Sequence, residues 1–319
     1  MGGVGSAVAR IFQPRTMAFA GATAGVAGMK YRVRHLTVYE YGEAVLLSHH
    51  AAHLRPRQVY NQNYDKVRLT IRPSPAVLRD GQLDYFGNPT TFFTIQDSHS
   101  KLEIEASFEV ETSPSFGLYN LDGPAWDQVR ADLAAATAPH LEEAMDFLFP
   151  SPQVPLLDAA AHYAAPSFPP GRPLAQAVLD LNSRIFRDFT FDPVATSIGT
   201  PLSTVFAQRR GVCQDFAHAA IACLRAMGLA ARYVSGYIRT IAPPGGQKLV
   251  GADASHAWAS VFIPGWGWLD IDPTNNKPAG EDHVVVAWGR DYDDVSPIKG
   301  VVLGGGEHSI HVAVDVTEI

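Results

Sequence analysis

The sequence predicts an α+β chain in two parts: an N-terminal β-sandwich, then helices leading into a second domain that ends in antiparallel strands. Three observations carry this. Segments of strict two-residue alternation separated by turn residues fill residues 29–112. Helical periodicity replaces them from residue 124. Strand patterns then return after residue 229 and run to the end. A chain of 319 residues suits two domains. With 46% hydrophobic and 18% charged residues it has a globular composition.

Residues 1–28 are rich in Gly and Ala, with Pro14, Arg15 and Thr16 interrupting the apolar run that a signal peptide needs. The segment reads as a disordered extension ahead of a start at Met29, a cleaved leader being the alternative. In YRVRHLTVYEY, Tyr31, Val33, His35, Thr37 and Tyr39 share one face and Arg32, Arg34, Leu36 and Val38 the other. KVRLTIRP (66–73), TTFFTIQ (90–96) and KLEIEASFEVET (101–112) repeat the pattern. Pro73-Ser74-Pro75, Asp80-Gly81 and Phe86-Gly87-Asn88-Pro89 supply the turns. Regular strands with such turns predict a sandwich over 29–112.

A helical connector is expected over 113–172, with helix patterning at 124–149 and Pro124 and Pro139 near two helix starts. The second domain is expected over 173–319. Its first helix, 172–189, carries a stripe of Ala177, Val178, Leu181, Ile185 and Phe186. A second runs from Cys213 to Gly228, its buried face marked by Ala217, Ala220, Ile221 and Leu224, with Gly228 as its stop. Strands are expected at 230–241, 256–263, 266–271, 283–288, 297–303 and 308–316.

The net charge is -7 and the isoelectric point about 5.9. An acidic chain without a basic stripe argues against nucleic acid and against anionic membrane surfaces as partners. No stretch has the length of a transmembrane helix. The two cysteines, Cys213 and Cys223, fall ten apart on one predicted helix. That separates them by roughly 15 Å, too far for a disulfide. Two free thiols fit a reducing cytoplasm.

Cys213 follows Gly211-Val212 and opens its helix. A thiol at a helix N-terminus meets unpaired N–H groups and the positive end of the dipole, which favour the thiolate and can hold an oxyanion. A small buried hydrophobe is the bland alternative. Cys223, mid-helix among apolar residues, takes that bland reading. Asp215 reads as helix-start structure. His256 lies in SHAWASVFIPGWGWLDIDPT, where Pro264-Gly265 turns the chain, so a hairpin can present His on one arm and Asp on the other. Asp270 and Asp272 are two apart on that second arm and face the same way, so alternation cannot choose between them. Pro273 confines Asp272 to extended backbone at the strand's end.

Gly-Val-Cys213-Gln-Asp-Phe-Ala, then Ala-Arg-Tyr-Val-Ser-Gly-Tyr (231–237), His256-Ala-Trp and Asp272-Pro-Thr resemble the bacterial transglutaminase-like cysteine proteases. HLTVYEY, HLRPR (53–57) and YFGNP (85–89) resemble that family's N-terminal β-domain, and GRDYDDVSP (289–297) its C-terminal part. The resemblance covers nearly everything from Met29 onward. It implies a papain-like fold for the second domain and a triad of Cys213, His256 and Asp272. It also implies a thioester intermediate released to water or to an amine, with no metal or organic cofactor. The expected activity is hydrolysis of a peptide or protein amide; a protein-glutamine transamidase and a silent binding module are the alternatives. Gln214, Tyr237, Trp258 and Asp270 are candidates to line the cleft. Arg209 and Arg210 are candidates to hold an acidic substrate or support the thiolate, a solvated pair being the equal alternative. His308 and His311, three apart on a strand, face opposite sides, and His49, His50 and His53 lack an acidic companion in sequence, so neither group makes a metal site.

Overall fold

The computed structural model describes residues 28–114, 121–137, 141–240 and 255–319. The expected N-terminal extension therefore lies, save for Gly28, outside the described residues, as does Pro139. The first region is built on one long strand, β1 (Met29–Ala52), of 24 residues. Its alternation is the one read from sequence: Tyr31, Val33, His35 and Thr37 are all buried. Around it lie β2 (Gln62–Arg72), β3 (Val77–Leu83), β4 (Pro89–Ile95) and β5 (His99–Thr112), in the order β2-β5-β1-β4-β3. The first half of β1 pairs with β5 and its last five residues with β4. Ile71, Leu102, Ile104 and Ala106 from one half of the sheet meet Ala52, Phe93 and Ile95 from the other in a small core of their own. The N-terminal region is thus a strand-rich sandwich folded from one continuous sheet.

The connector holds α1 (Trp126–Ala134), α2 (Asp158–Ala164) and three single 3-10 turns at Leu141–Glu143, Met145–Phe147 and Ala165–Ser167. It is more broken than the helical patterning over 124–149 suggested. Pro173 then caps α3 (Leu174–Asp188), where Ala177, Val178, Leu181 and Ile185 are buried. Phe186, counted in the expected stripe, is 46% exposed. It stands one residue, about 100°, beyond Ile185 around the helix and off the buried face. The two-residue strand β6 (Thr190–Phe191), α4 (Leu202–Gln208) and the equally short β7 (Arg210–Gly211) lead into α5 (Cys213–Ala226). Gly228 follows α5 at φ 76°, as a C′ glycine should.

A five-stranded antiparallel sheet completes the second region: β8 (Ala231–Ile238), β9 (Ser255–Ile263), β10 (Gly267–Asp272), β11 (Lys277–Pro278) and β12 (His283–Gly289), in the order β11-β10-β9-β8-β12. On one face Tyr233, Ala257, Ala259 and Val261 share the main core with α5. On the other, Val234, Trp258, Ala279 and Val285 form a separate cluster that Val59 joins from the N-terminal region.

After the short α6 (Tyr292–Val295) the chain departs from the sequence reading. The strands expected at 297–303 and 308–316 were grouped with the second domain. They are β13 (Ile298–Gly304) and β14 (His308–Glu318), and both pair antiparallel with β1: β14 with Tyr31–Tyr41, β13 with Val45–Ala52. The reason is hydrogen bonding. A strand of 24 residues exposes two full edges. β5 and β4 cover one neighbour position each, and the last strands satisfy what they leave open.

Candidate active site

Gly211, Val212 and Asp215 together set the start of α5. Val212 is extended, at φ -106°, and serves as N-cap. Asp215, 4% exposed, accepts the Val212 N–H at 2.8 Å and the Thr196 hydroxyl at 2.6 Å. It is helix-start structure, as read. A Cβ on Gly211 would collide with the Asp215 carboxylate, so only glycine allows this tight entry. Cys213 is therefore the first helical residue, half-buried, at the positive end of a 14-residue helix. Cys223 is fully buried; burial pushes its thiol well up. Both cysteines are free.

His256, 7% exposed, stands at the start of β9 opposite Gly236 of β8. A Cβ at Gly236 would overlap the Val284 carbonyl and lie 2.8 Å from the Trp258 indole, so glycine is required for the sheet to pass beside His256. Nε2 of His256 lies 2.8 Å from Oδ2 of Asp272. That distance is inside the hydrogen-bond limit of about 3.2 Å. The Cys213 thiol is among the groups whose interaction favours the charged form of the same ring. Asp272 occupies Nε2, which leaves Nδ1 for the thiol.

Asp272 has no exposed surface, yet it is richly solvated by the protein. Oδ1 accepts the backbone N–H groups of Thr274 at 3.0 Å and Asn275 at 3.2 Å. Oδ2 accepts from His256, from the Asn275 side-chain amide at 2.7 Å and from Nε2 of His283 at 3.1 Å. Burial alone would raise its pKa, but the hydrogen bonds from His256 and His283 outweigh that and hold the carboxyl well below the usual range. For His256, burial disfavours the charged ring, while Asp272 and Cys213 favour it more; the result is raised to about 9. Such an arrangement holds a charged imidazole against an ionised carboxylate.

His283 and Asn275 were missed in the sequence. His283 heads the apolar run of β12, and no spacing rule links it to Asp272. His256, Asp272 and His283 form the cluster among the described residues that metal-ligand geometry could suit. The hydrogen bonding argues otherwise. Nδ1 of His283 receives the Gly280 N–H at 3.2 Å, so the ring proton is on Nε2. That nitrogen donates to Asp272 and has no lone pair to offer a metal.

The four candidate cleft residues separate. Gln214, beside Cys213, is half-buried. Asp270 is half-buried and lies in the field of Arg232, not against His256. Tyr237 and Trp258 are core: Tyr237 is 2% exposed with its hydroxyl 2.9 Å from Nδ1 of His35, and Trp258 is 0% exposed, its ring beside His256 and edge-on to His283. Arg210 pairs with Asp192 at 3.4 Å, and Arg209, at φ 50°, lies over the Tyr163 ring. His49 contacts Thr94, His50 stacks on Phe93 and His53 faces Asp84, while His308 and His311 are exposed on β14.

Two family descriptions match the chain. The bacterial transglutaminase-like N-terminal region matches residues 31–111, and the transglutaminase-like superfamily matches residues 163–273, a span that includes Cys213, His256 and Asp272. An uncharacterized protein of Mycobacterium tuberculosis is 44% identical over 297 residues, covering 90% of this chain and 92% of its own. A protein-glutamine gamma-glutamyltransferase of Pseudomonas aeruginosa is 38% identical over 87 residues, 27% of this chain and 13% of that protein. A crystal structure of a candidate cysteine protease from Cytophaga hutchinsonii shares the fold, with a TM-score of 0.72 at 19% identity over 92% of each chain.

Proposed function

The chain belongs to the transglutaminase-like superfamily, and from that premise we propose that it is a cysteine-dependent hydrolase of peptide or protein amides, with Cys213 as nucleophile, His256 as acid and base, and Asp272 as the orienting acid. The observation that carries the reading is the buried imidazole of His256, which stands 2.8 Å from a fully buried carboxylate and whose charged form is favoured by that carboxylate and by Cys213 at the helix start.

In this mechanism the Cys213 sulfur attacks the amide carbonyl carbon. The oxygen becomes an oxyanion beside the unpaired N–H groups at the start of α5. His256 gives its proton to the departing nitrogen, the C–N bond breaks, and a thioester remains on Cys213. Water then attacks the thioester, His256 takes its proton, and the carboxylic acid leaves as the thiol re-forms. No step calls for a cofactor. The acidic chain, at net charge -7, suits peptide partners better than nucleic acid.

The Pseudomonas relative's activity favours a second reading, in which an amine replaces water at the thioester. Hydrolysis is preferred because water needs no second binding site. The test is to react the protein with a peptide library, trap the acyl group on Cys213 and identify it by mass spectrometry. A reactive substrate is then turned over with and without a primary amine. Free acid should dominate; amide product dominating at millimolar amine selects the transamidase. Iodoacetamide should label Cys213 well before the buried Cys223, and Cys213→Ala should abolish turnover in a folded protein. Preferential labelling of Cys223 would overturn the assignment.

A further inference from the structure

His283 is as deeply buried as the triad and touches it, yet no step above uses it. Its side chain is 2% exposed. Its ring lies 5.1 Å from Trp258, edge to face, and 6.0 Å from His256. Nε2 reaches Asp272 Oδ2 at 3.1 Å while Nδ1 accepts the Gly280 N–H. The ring is therefore pinned from both sides in one neutral tautomer. The groups facing it are Asp272, His256 and Lys277, and the last is already paired with Asp282 at 3.1 Å. Burial, offset only in part by Asp272, keeps its pKa below the ordinary histidine value.

A buried carboxylate that orients a base must be fixed itself. Asp272 ends β10, and its Oδ2 is the acceptor that meets Nε2 of His256. Asn275 also donates to that oxygen, but Asn275 is exposed and lies on the turn after β10. His283 comes from another strand, at the far edge of the sheet from β10 and β11. It thereby ties the carboxylate across the sheet.

We propose that His283 is a positioning residue of this site: its Nε2–H fixes the Asp272 carboxylate so that Oδ2 stays aligned with His256, extending the triad to a fourth member. This rests on the reading of Cys213, His256 and Asp272 as the reacting group. His283 touches no reacting atom. Its loss lets the carboxylate turn, and a misplacement of about 1 Å in such a relay costs on the order of 10²-fold.

The test compares His283→Leu, His283→Asn and His283→Gln with the wild type and with Cys213→Ala. The Gln amide nitrogen reaches the place of Nε2; the Asn amide falls short of it. Leu and Asn should lower kcat by about 10²-fold with KM nearly unchanged. They should also move the basic limb of the rate profile to lower pH, because His256 loses a fixed counter-ion. Gln should recover most of both. If Leu and Asn keep the wild-type kcat and basic limb, the inference falls. If all three variants lose activity only in proportion to unfolded protein, counted by alkylation of the buried Cys223, with an unmoved limb, it also falls. Full activity in Cys213→Ala sinks the triad reading itself, a result separate from either of these.

Discussion

Asp272→Asn tests how much of the site's chemistry rests on one charge. The carboxylate accepts five hydrogen bonds, between 2.7 and 3.2 Å, and donates none. An amide has one acceptor oxygen in place of two and cannot reproduce this. If its oxygen keeps the Thr274 and Asn275 backbone N–H groups, its NH₂ confronts three donors, from His256, His283 and Asn275. The cheapest relief is for His256 to move its proton from Nε2 to Nδ1, where it faces Cys213. The ring can then neither take the thiol proton nor form the ion pair. Losing the orienting acid in this way is worth on the order of 10⁴ in kcat, or about 5.4 kcal/mol of transition-state stabilisation. Asp270→Asn, by contrast, removes a charge that makes no bond to His256, and turnover should stay within about threefold. The assay is initial rate on an activated amide, with circular dichroism melts and Cys213 alkylation to count competent sites. An Asp272→Asn enzyme with near wild-type kcat, or an Asp270→Asn enzyme equally crippled, would refute the assignment while leaving the Cys–His pair standing.

Two further outcomes follow from the same geometry. His256 is raised to about 9 in the fold, so its contribution to stability is complete below the unfolded value of about 6.5 and is lost as pH rises through 9. Asp272 is depressed, so its contribution is present above about 3.9 and fades only as pH falls well below that. Melting temperature should therefore drop between pH 6.5 and 9 in the wild type and drop less in His256→Ala, and an equal drop in both would refute the coupling. Gly236→Ala, which drives a methyl into the Val284 carbonyl beside His256, should cost more than about 3 kcal/mol in urea titration; a loss under 1 kcal/mol would mean the strands part freely there.

What the sequence made legible was what local chemistry dictates. A glycine, an N-cap position and an acid at the third helical place announce Cys213 at a helix start. Alternation gives the buried face of β1, and the restriction before proline singles out Asp272 from Asp270. The same local logic is blind to partners chosen by tertiary pairing. Nothing in HSIHVAVDV says that it pairs with β1 and not with β12. His283 lies eleven residues from Asp272 and two strands away in the sheet from His256, so only the folded sheet brings it to the carboxylate. Tyr237 and Trp258 fall near the site along the chain, but burial makes both part of the core.

The short motifs outside the site then acquire a physical meaning. β12 is the outermost strand of the five-stranded sheet, and its free edge would otherwise be a liability. Two side-chain amides from the N-terminal region cover it. Gln62 accepts the Val285 N–H and donates to the Val285 carbonyl, both at 2.8 Å. Asn88, of the YFGNP segment, accepts the Trp288 N–H at 2.9 Å and donates to its carbonyl at 2.8 Å. Each amide thus behaves as one residue of a missing strand. Arg57, of HLRPR, lies 3.5 Å from the Trp288 ring centroid and Arg232 lies 3.8 Å from the same centroid, so they must occupy opposite faces. Arg232 also sits 4.0 Å from Trp268, which carries the stack across to β10. His53 reaches the Ser296 carbonyl of the GRDYDDVSP segment at 3.0 Å. These contacts brace β12, the strand that presents His283 to Asp272. The N-terminal sandwich, itself closed by the last two strands of the chain, is therefore part of what holds the carboxylate still, although none of its residues enters the triad.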